Sequence, residues 1–161
     1  MLSKKVILTG SFGVGKTSLF ERFINNLFQD KYLTTIGVKV GKKLVQTEQG
    51  DLSMMIWDIA GEVTQDKVPN SYFLGTSGIV YVFDLTRPST YANIVSDITY
   101  LKKINEFTII RVVGNKRDLV ADTVLQKIQA DIGIPIDIFT SAKTGENVAD
   151  LFNEFAKELI A

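Results

Sequence analysis

Apolar residues fall along this chain in two alternating rhythms. Short apolar runs, Val6-Ile7-Leu8, Ile79-Val80-Tyr81-Val82-Phe83 and Ile109-Ile110-Arg111-Val112-Val113, are separated by stretches in which apolar residues recur every three or four positions. The first kind reads as buried parallel strand and the second as helix. The pattern predicts strands near 4–9, 37–47, 51–57, 78–84, 108–114 and 135–139. Helices are expected near 16–26, 65–75, 90–104, 122–132 and 146–160. Gln49-Gly50-Asp51 is a turn signal between the second and third strands, which makes that pair an antiparallel hairpin at the sheet edge. The expected fold is therefore α/β, a six-stranded mixed sheet with one antiparallel edge strand, flanked by five helices. Val148, Leu151, Phe152, Phe155 and Leu159 form one stripe on the last helix, a pattern of core packing without functional content. No repeat, low-complexity tract or Pro- or Ser-rich linker interrupts the sequence, so residues 1–161 are expected to form a single domain.

Composition narrows the chemistry. The 18 basic and 18 acidic residues balance, which leaves no electrostatic footprint for nucleic acid and no polybasic attraction to a lipid surface. Cysteine is absent, so there is no disulfide framework, no thiolate zinc site and no attachment point for prenyl or palmitoyl chains. Histidine is absent too, and base or metal chemistry must rest on carboxylates, hydroxyls and backbone. No apolar run approaches a membrane-spanning length, and because Met1-Leu2-Ser3-Lys4-Lys5 leads straight into the first strand, no signal peptide is expected. A cytoplasmic location is the expectation.

In open α/β sheets ligands sit beyond the carboxyl ends of the strands. There the first strand runs into Gly10-Ser11-Phe12-Gly13-Val14-Gly15-Lys16-Thr17, which fits G-x-x-x-x-G-K-[ST] and is followed by a helical stretch from Ser18. In strand–loop–helix order, backbone N–H groups converge on an anion at the positive end of a helix. Gly10, Gly13 and Gly15 permit the positive φ and the close approach that such a cradle needs. Gly13, Val14, Gly15, Lys16, Thr17 and Ser18 form the candidate phosphate set, with Lys16 toward the outer phosphates and the Thr17 hydroxyl toward magnesium.

The third strand ends in Trp57-Asp58-Ile59-Ala60-Gly61, where Asp58 is a candidate magnesium holder and the Gly61 N–H a candidate γ-phosphate donor. Taken alone, D-x-A-G serves equally well as a plain strand-ending turn. The fifth strand ends in Asn115-Lys116-Arg117-Asp118. A carboxylate there accepts two parallel hydrogen bonds from the N1–H and 2-amino group of guanine, a donor pair that adenine lacks. Asn115 can bridge base and neighbouring loops, and the Lys116 stem can lie over the base plane. The sixth strand ends in Thr140-Ser141-Ala142-Lys143, a turn whose Ala142 N–H is placed to donate to the guanine 6-oxo group.

With these motifs in order, the chain resembles a small GTPase of the Ras superfamily, a P-loop NTPase domain, essentially from Lys4 to the last helix. Asn115–Asp118 and Thr140–Lys143 are similar to the family's two base-recognition motifs, which implies base contacts from Asn115, Lys116, Asp118, Ser141, Ala142 and Lys143. Thr34-Thr35-Ile36-Gly37-Val38 and Ile56-Trp57-Asp58 resemble the Rab-like branch. The resemblance implies magnesium held by Thr17, Thr35 and Asp58, with Thr35 also touching the γ-phosphate in the GTP state. It implies that the edge of Phe28 supports the guanine; the other reading of Phe28 is a core residue closing the first helix. Gly61, Glu62 and Lys16 are the catalytic candidates. The implied partners are GTP and GDP, protein effectors, an exchange factor and a GTPase-activating protein, with neither nucleic acid nor a stable membrane anchor.

Three positions depart from the family pattern. Glu62 stands where the family has its catalytic glutamine, Val63 where an acidic residue follows it, and Phe12 where many relatives carry a smaller residue beside the γ-phosphate. The expectation is a GTP/GDP switch with slow magnesium-dependent hydrolysis. The alternative is a pseudo-GTPase scaffold that binds GTP without turnover. A P-loop small-molecule kinase shares the first loop but leaves Asn115–Asp118 unexplained.

Overall fold

The computed structural model describes residues 2–26 and 37–161. Six strands form one sheet: β1 (Leu2–Thr9), β2 (Val38–Thr47), β3 (Gly50–Ile59), β4 (Thr76–Asp84), β5 (Ile109–Asn115) and β6 (Ile138–Phe139), in the order β2-β3-β1-β4-β5-β6. The β2–β3 pair is antiparallel and every other pair parallel, so the mixed sheet with one antiparallel edge strand is as the sequence pattern implies. Four α-helices lie among the described residues: α1 (Lys16–Asn25), α2 (Ile94–Ile104), α3 (Asp122–Ile132) and α4 (Val148–Ile160).

The fifth helix expected near 65–75 is instead a pair of 3-10 turns, Gln65–Lys67 and Asn70–Phe73, with Val68 and Pro69 between them. The proline removes a backbone donor and holds Val68 extended at ψ 129, so the two turns do not fuse into one helix. Pro88 likewise opens a separate 3-10 turn, and α2 starts at Ile94 rather than near residue 90. Strand β6 is shorter than expected because Pro135 lies in the stretch before it and cannot donate to a ladder.

Alternation along β1 builds two cores at once. Val6 and Leu8 point into a cluster with Leu19, Phe20, Phe23, Phe152 and Phe155, which packs α1 and α4 on one face. Ile7 points into the other, with Tyr81, Phe83, Ile94, Ile98, Leu101 and Ile128 from β4, α2 and α3. Phe23 stacks on Phe152 at 4.1 Å between ring centroids, joining α1 to α4. Since β1 feeds a helix on one face and β4 a helix on the other, their carboxyl ends flank a topological switch point, and the sequence motifs gather there.

Packing leaves no spare volume beneath α4. A Cβ on Gly78 would lie 2.5 Å from Phe155 Cζ and 2.9 Å from Cε1, and Phe155 is only 1% exposed. Gly78→Ala is expected to lower stability by about 1–3 kcal/mol through overpacking, read as a lower urea midpoint at unchanged slope. Phe155→Leu in the same chain should recover part of the loss, and an unchanged midpoint for Gly78→Ala alone would contradict this packing.

Candidate nucleotide-binding site

Residues 10–15 connect β1 to α1 with three glycines in the positive-φ region, Gly10 at 145°, Gly13 at 76° and Gly15 at 101°. Space as well as φ demands glycine at the two ends. A Cβ on Gly10 would collide with the Val82 carbonyl of β4, and one on Gly15 with the Asn115 amide.

The carbonyls of this loop are all engaged. Lys16 Nζ donates to Gly10 O at 3.3 Å and Ser11 O at 3.1 Å. Arg87 Nη1 donates to Phe12 O at 3.0 Å, Lys116 Nζ to Gly13 O at 3.1 Å and Asn115 Nδ2 to Val14 O at 3.0 Å. Gly15 O accepts the helical N–H of Leu19 at 2.9 Å. The N–H groups of Gly13, Val14 and Gly15, by contrast, find no acceptor among the described residues. Consecutive unsatisfied N–H groups make an anion-binding concavity.

Lys16 lies at its base, 5% exposed. Burial lowers its pKa to about 8, and the charge of Asp58 opposes that shift. An ammonium so desolvated is relieved by a phosphate. Thr17 Oγ1 donates to Asp58 Oδ2 at 2.6 Å, and Asp58 is fully buried at the end of β3. A hydroxyl and a buried carboxylate side by side are hard oxygen donors suited to magnesium, so these residues fit the metal as well as the phosphate. Thr35 and Phe28 lie outside the described residues.

The turn after β3 rests on the phosphate loop. A Cβ on Gly61 would fall 2.5 Å from both Phe12 N and Phe12 Cα, so only glycine lets the two backbones touch. The Glu62 N–H donates to Gly10 O at 3.3 Å. Three residues on, Gln65 is buried: Thr9 Oγ1 donates to its side-chain oxygen, and its own N–H donates to Asp97 Oδ1 at 2.9 Å. Tyr81 Oη donates to Asp97 Oδ2 at 2.8 Å, so β1, β4 and α2 together anchor the segment that carries Glu62.

The turns after β5 and β6 meet at Asn115. Its Oδ1 accepts from Thr140 Oγ1 at 2.9 Å and from the Ala142 N–H at 3.4 Å, while its amide holds the phosphate loop. Asp118 Oδ1 accepts from Ser141 Oγ at 2.7 Å, and the Asp118 carboxylate stands exposed at the rim. Lys116 adopts φ 68, a left-handed conformation for a non-glycine residue that is held by its side-chain bond to Gly13 and its ion pair with Asp84 at 2.9 Å. Arg22 of α1 donates to Ala142 O at 2.8 Å and also bonds Lys143 O, bracing the last turn.

A sequence model of the Ras family matches residues 5–161. The chain belongs to the Ras family. It is a small GTP-binding switch protein, and members of the family are GTPases that bind GTP and GDP with magnesium. In this Ras-family protein the sequence motifs converge as separate loops on one edge of the sheet. Sequence reasoning missed Asp84, Arg87, Gln65 and Asp97. A signal existed for two of them. Asp84 closes an apolar strand as Asp58 does, and Asp97 sits in the apolar stripe Ile94, Ile98, Leu101, where a carboxylate needs partners.

Burial raises the Asp97 pKa, while the Gln65 N–H and the Tyr81 hydroxyl pull it back down and Asp66 adds a smaller upward push. With the folded pKa above the unfolded one, Asp97 favours the fold at low pH, and that contribution is lost as pH rises through the folded value. Tyr81→Phe deletes one donor to the carboxylate, so Asp97 is expected to titrate higher still in carbon-13 NMR of its carboxyl group. A lower value in the variant would contradict this hydrogen-bond assignment.

Proposed function

We propose that residues 1–161 form one Ras-like domain that cycles between GTP- and GDP-bound states, with slow magnesium-dependent hydrolysis. The observation that carries this reading is the double role of Asn115, one amide fastening Val14 of the phosphate loop and Thr140 and Ala142 of the base turn together. A phosphate cradle and a base turn fixed to one side chain favour a nucleotide over a simple phosphate compound. In this reading Asp118 accepts the guanine N1–H and 2-amino group, with Ser141, Ala142, Lys116 and Lys143 around the base. Gly13 to Ser18 take the phosphates, and Thr17, Asp58 and Thr35 hold magnesium, which supplies charge neutralisation at the phosphates when bound. Phe28 supports the base edge. The Rab-like branch is the closer fit to Ile56-Trp57-Asp58 and the first switch. Effectors, an exchange factor and an activating protein are the expected partners, in the cytoplasm.

Base choice and turnover test the reading separately. Asp118→Asn turns one acceptor into a donor, which suits the carbonyl that xanthine carries in place of guanine's amino group. The variant is expected to lose about a hundredfold or more in GTP affinity and to gain xanthosine triphosphate; unchanged GTP affinity measured by calorimetry would remove Asp118 from the base site.

In this reading Gly61, Glu62 and Lys16 are the catalytic candidates. An ionised Glu62 accepts a hydrogen bond from water but cannot donate toward the transferring group, and its charge repels a developing phosphate charge. Single-turnover hydrolysis is therefore expected at or below the order of 10⁻⁴ s⁻¹, with Glu62→Gln faster than the parent chain. A tenfold slower Glu62→Gln would make Glu62 catalytic. Complete absence of turnover in both would favour the pseudo-GTPase scaffold, which Glu62 and the half-exposed Phe12 also suit.

A further inference from the structure

The loop Gly10–Gly15 presents a mechanical problem that its own sequence does not solve. In a planar trans peptide the carbonyl of one residue and the N–H of the next point in opposite directions, and no cis peptide occurs among the described residues. Fixing the carbonyls of Phe12, Gly13 and Val14 therefore aims the N–H groups of Gly13, Val14 and Gly15 the opposite way. Lys116 and Asn115, both from the turn after β5, fix the second and third of these carbonyls. The first belongs to a peptide free to flip unless held, because one of the two torsions that rotate it is φ of Gly13, as φ of Gly15 is for the third, and glycine crosses between φ basins at little cost.

That peptide is held by Arg87. Its Nη1 donates to Phe12 O at 3.0 Å across 75 residues of sequence, and the same nitrogen lies 4.0 Å from Asp84 Oδ2. The Asp84 side chain is fully buried and also pairs with Lys116 Nζ at 2.9 Å. Its other oxygen is occupied by the Thr86 N–H and hydroxyl, at 2.8 and 2.6 Å. The arginine backbone is fixed in turn, its N–H donating to Asp84 O at 3.0 Å and its carbonyl accepting from Thr90 Oγ1 at 2.7 Å. One buried carboxylate thus anchors two cations that reach consecutive carbonyls of the phosphate loop.

We propose that Arg87 is a positioning residue of the phosphate site, setting the Phe12–Gly13 peptide so that the Gly13 N–H faces the phosphate, with Asp84 as the shared anchor of Arg87 and Lys116. The inference rests on the guanine-nucleotide reading above. It concerns affinity for the phosphate moiety, and it leaves base recognition by Asp118 unchanged. Lysine at position 87 retains a charged donor of nearly the same reach, whereas alanine retains none.

The test uses the whole chain, with GDP and IDP as probes, and follows nucleotide release together with the Gly13 amide resonance. Arg87→Ala is expected to release GDP about three- to tenfold faster, the modest effect of one half-exposed charge-assisted bond. The ratio of GDP to IDP affinity should stay at the wild-type value, and the Gly13 amide of the GDP complex should move upfield. Arg87→Lys should restore most of both losses. Asp84→Asn, which loosens Lys116 as well, should exceed Arg87→Ala. Wild-type release and an unmoved Gly13 amide in Arg87→Ala would overturn the proposal, and so would failure of lysine to rescue. If the wild-type chain itself does not retain GDP, the guanine-nucleotide reading falls instead, and the two failures are told apart by that control.

Discussion

The site depends on a backbone segment whose carbonyl groups are all bonded, so that its N–H groups are left facing one ligand. A phosphate binder made of main chain has no side-chain rotamer to choose and little entropy to lose, but it needs its peptide planes held. Here the holding is done by Lys16 within the loop, by Asn115 and Lys116 after β5 and by Arg87 after β4. The parallel sheet makes this possible, since it brings the carboxyl ends of β1, β3, β4 and β5 to one edge. Glycine is then required by contact as well as by φ. Gly61 lies against the Phe12 backbone and Gly15 against the Asn115 amide, and in both places a methyl group would separate parts that must touch.

A second constraint acts on the turn after β3. The segment after Asp58 touches the phosphate loop through Gly61 and Glu62 and is tied down again at Gln65 by Thr9 and Asp97. Between those two anchors lie Val63, which is exposed, and Thr64. Gln65 belongs to the interior beneath α2, while Val63 and Thr64 span the two anchors. The buried Tyr81–Asp97 pair supports that arrangement from the sheet side, and the Asp97 charge is tolerated because two donors meet it.

Much of this was legible in the sequence. Continuous apolar runs marked β4 and β5, a glycine turn marked the β2–β3 hairpin, and the phosphate loop announced itself through residue types that only a main-chain cradle requires. The helix expected near 65–75 is divided into two 3-10 turns, because Pro69 lacks the backbone donor that a helical apolar spacing does not reveal. Arg87 was invisible for a different reason. Its partner is a carbonyl, which every residue has, and nothing in a sequence tells which of 161 carbonyls an arginine will meet. Asp84 and Asp97 were legible in principle, as carboxylates on apolar stripes, but their partners came from other elements.

The central claim, that this edge of the sheet is a preformed site for a guanine nucleotide, is tested most directly by calorimetric titration of nucleotide-free protein with GDP and with ADP in magnesium. The phosphates are common to both ligands, so the difference isolates the turns at Asn115–Asp118 and Thr140–Lys143. A site built to satisfy both donors of guanine is expected to bind GDP on the order of 10⁴-fold more tightly than ADP. Equal affinity for the two would contradict the account.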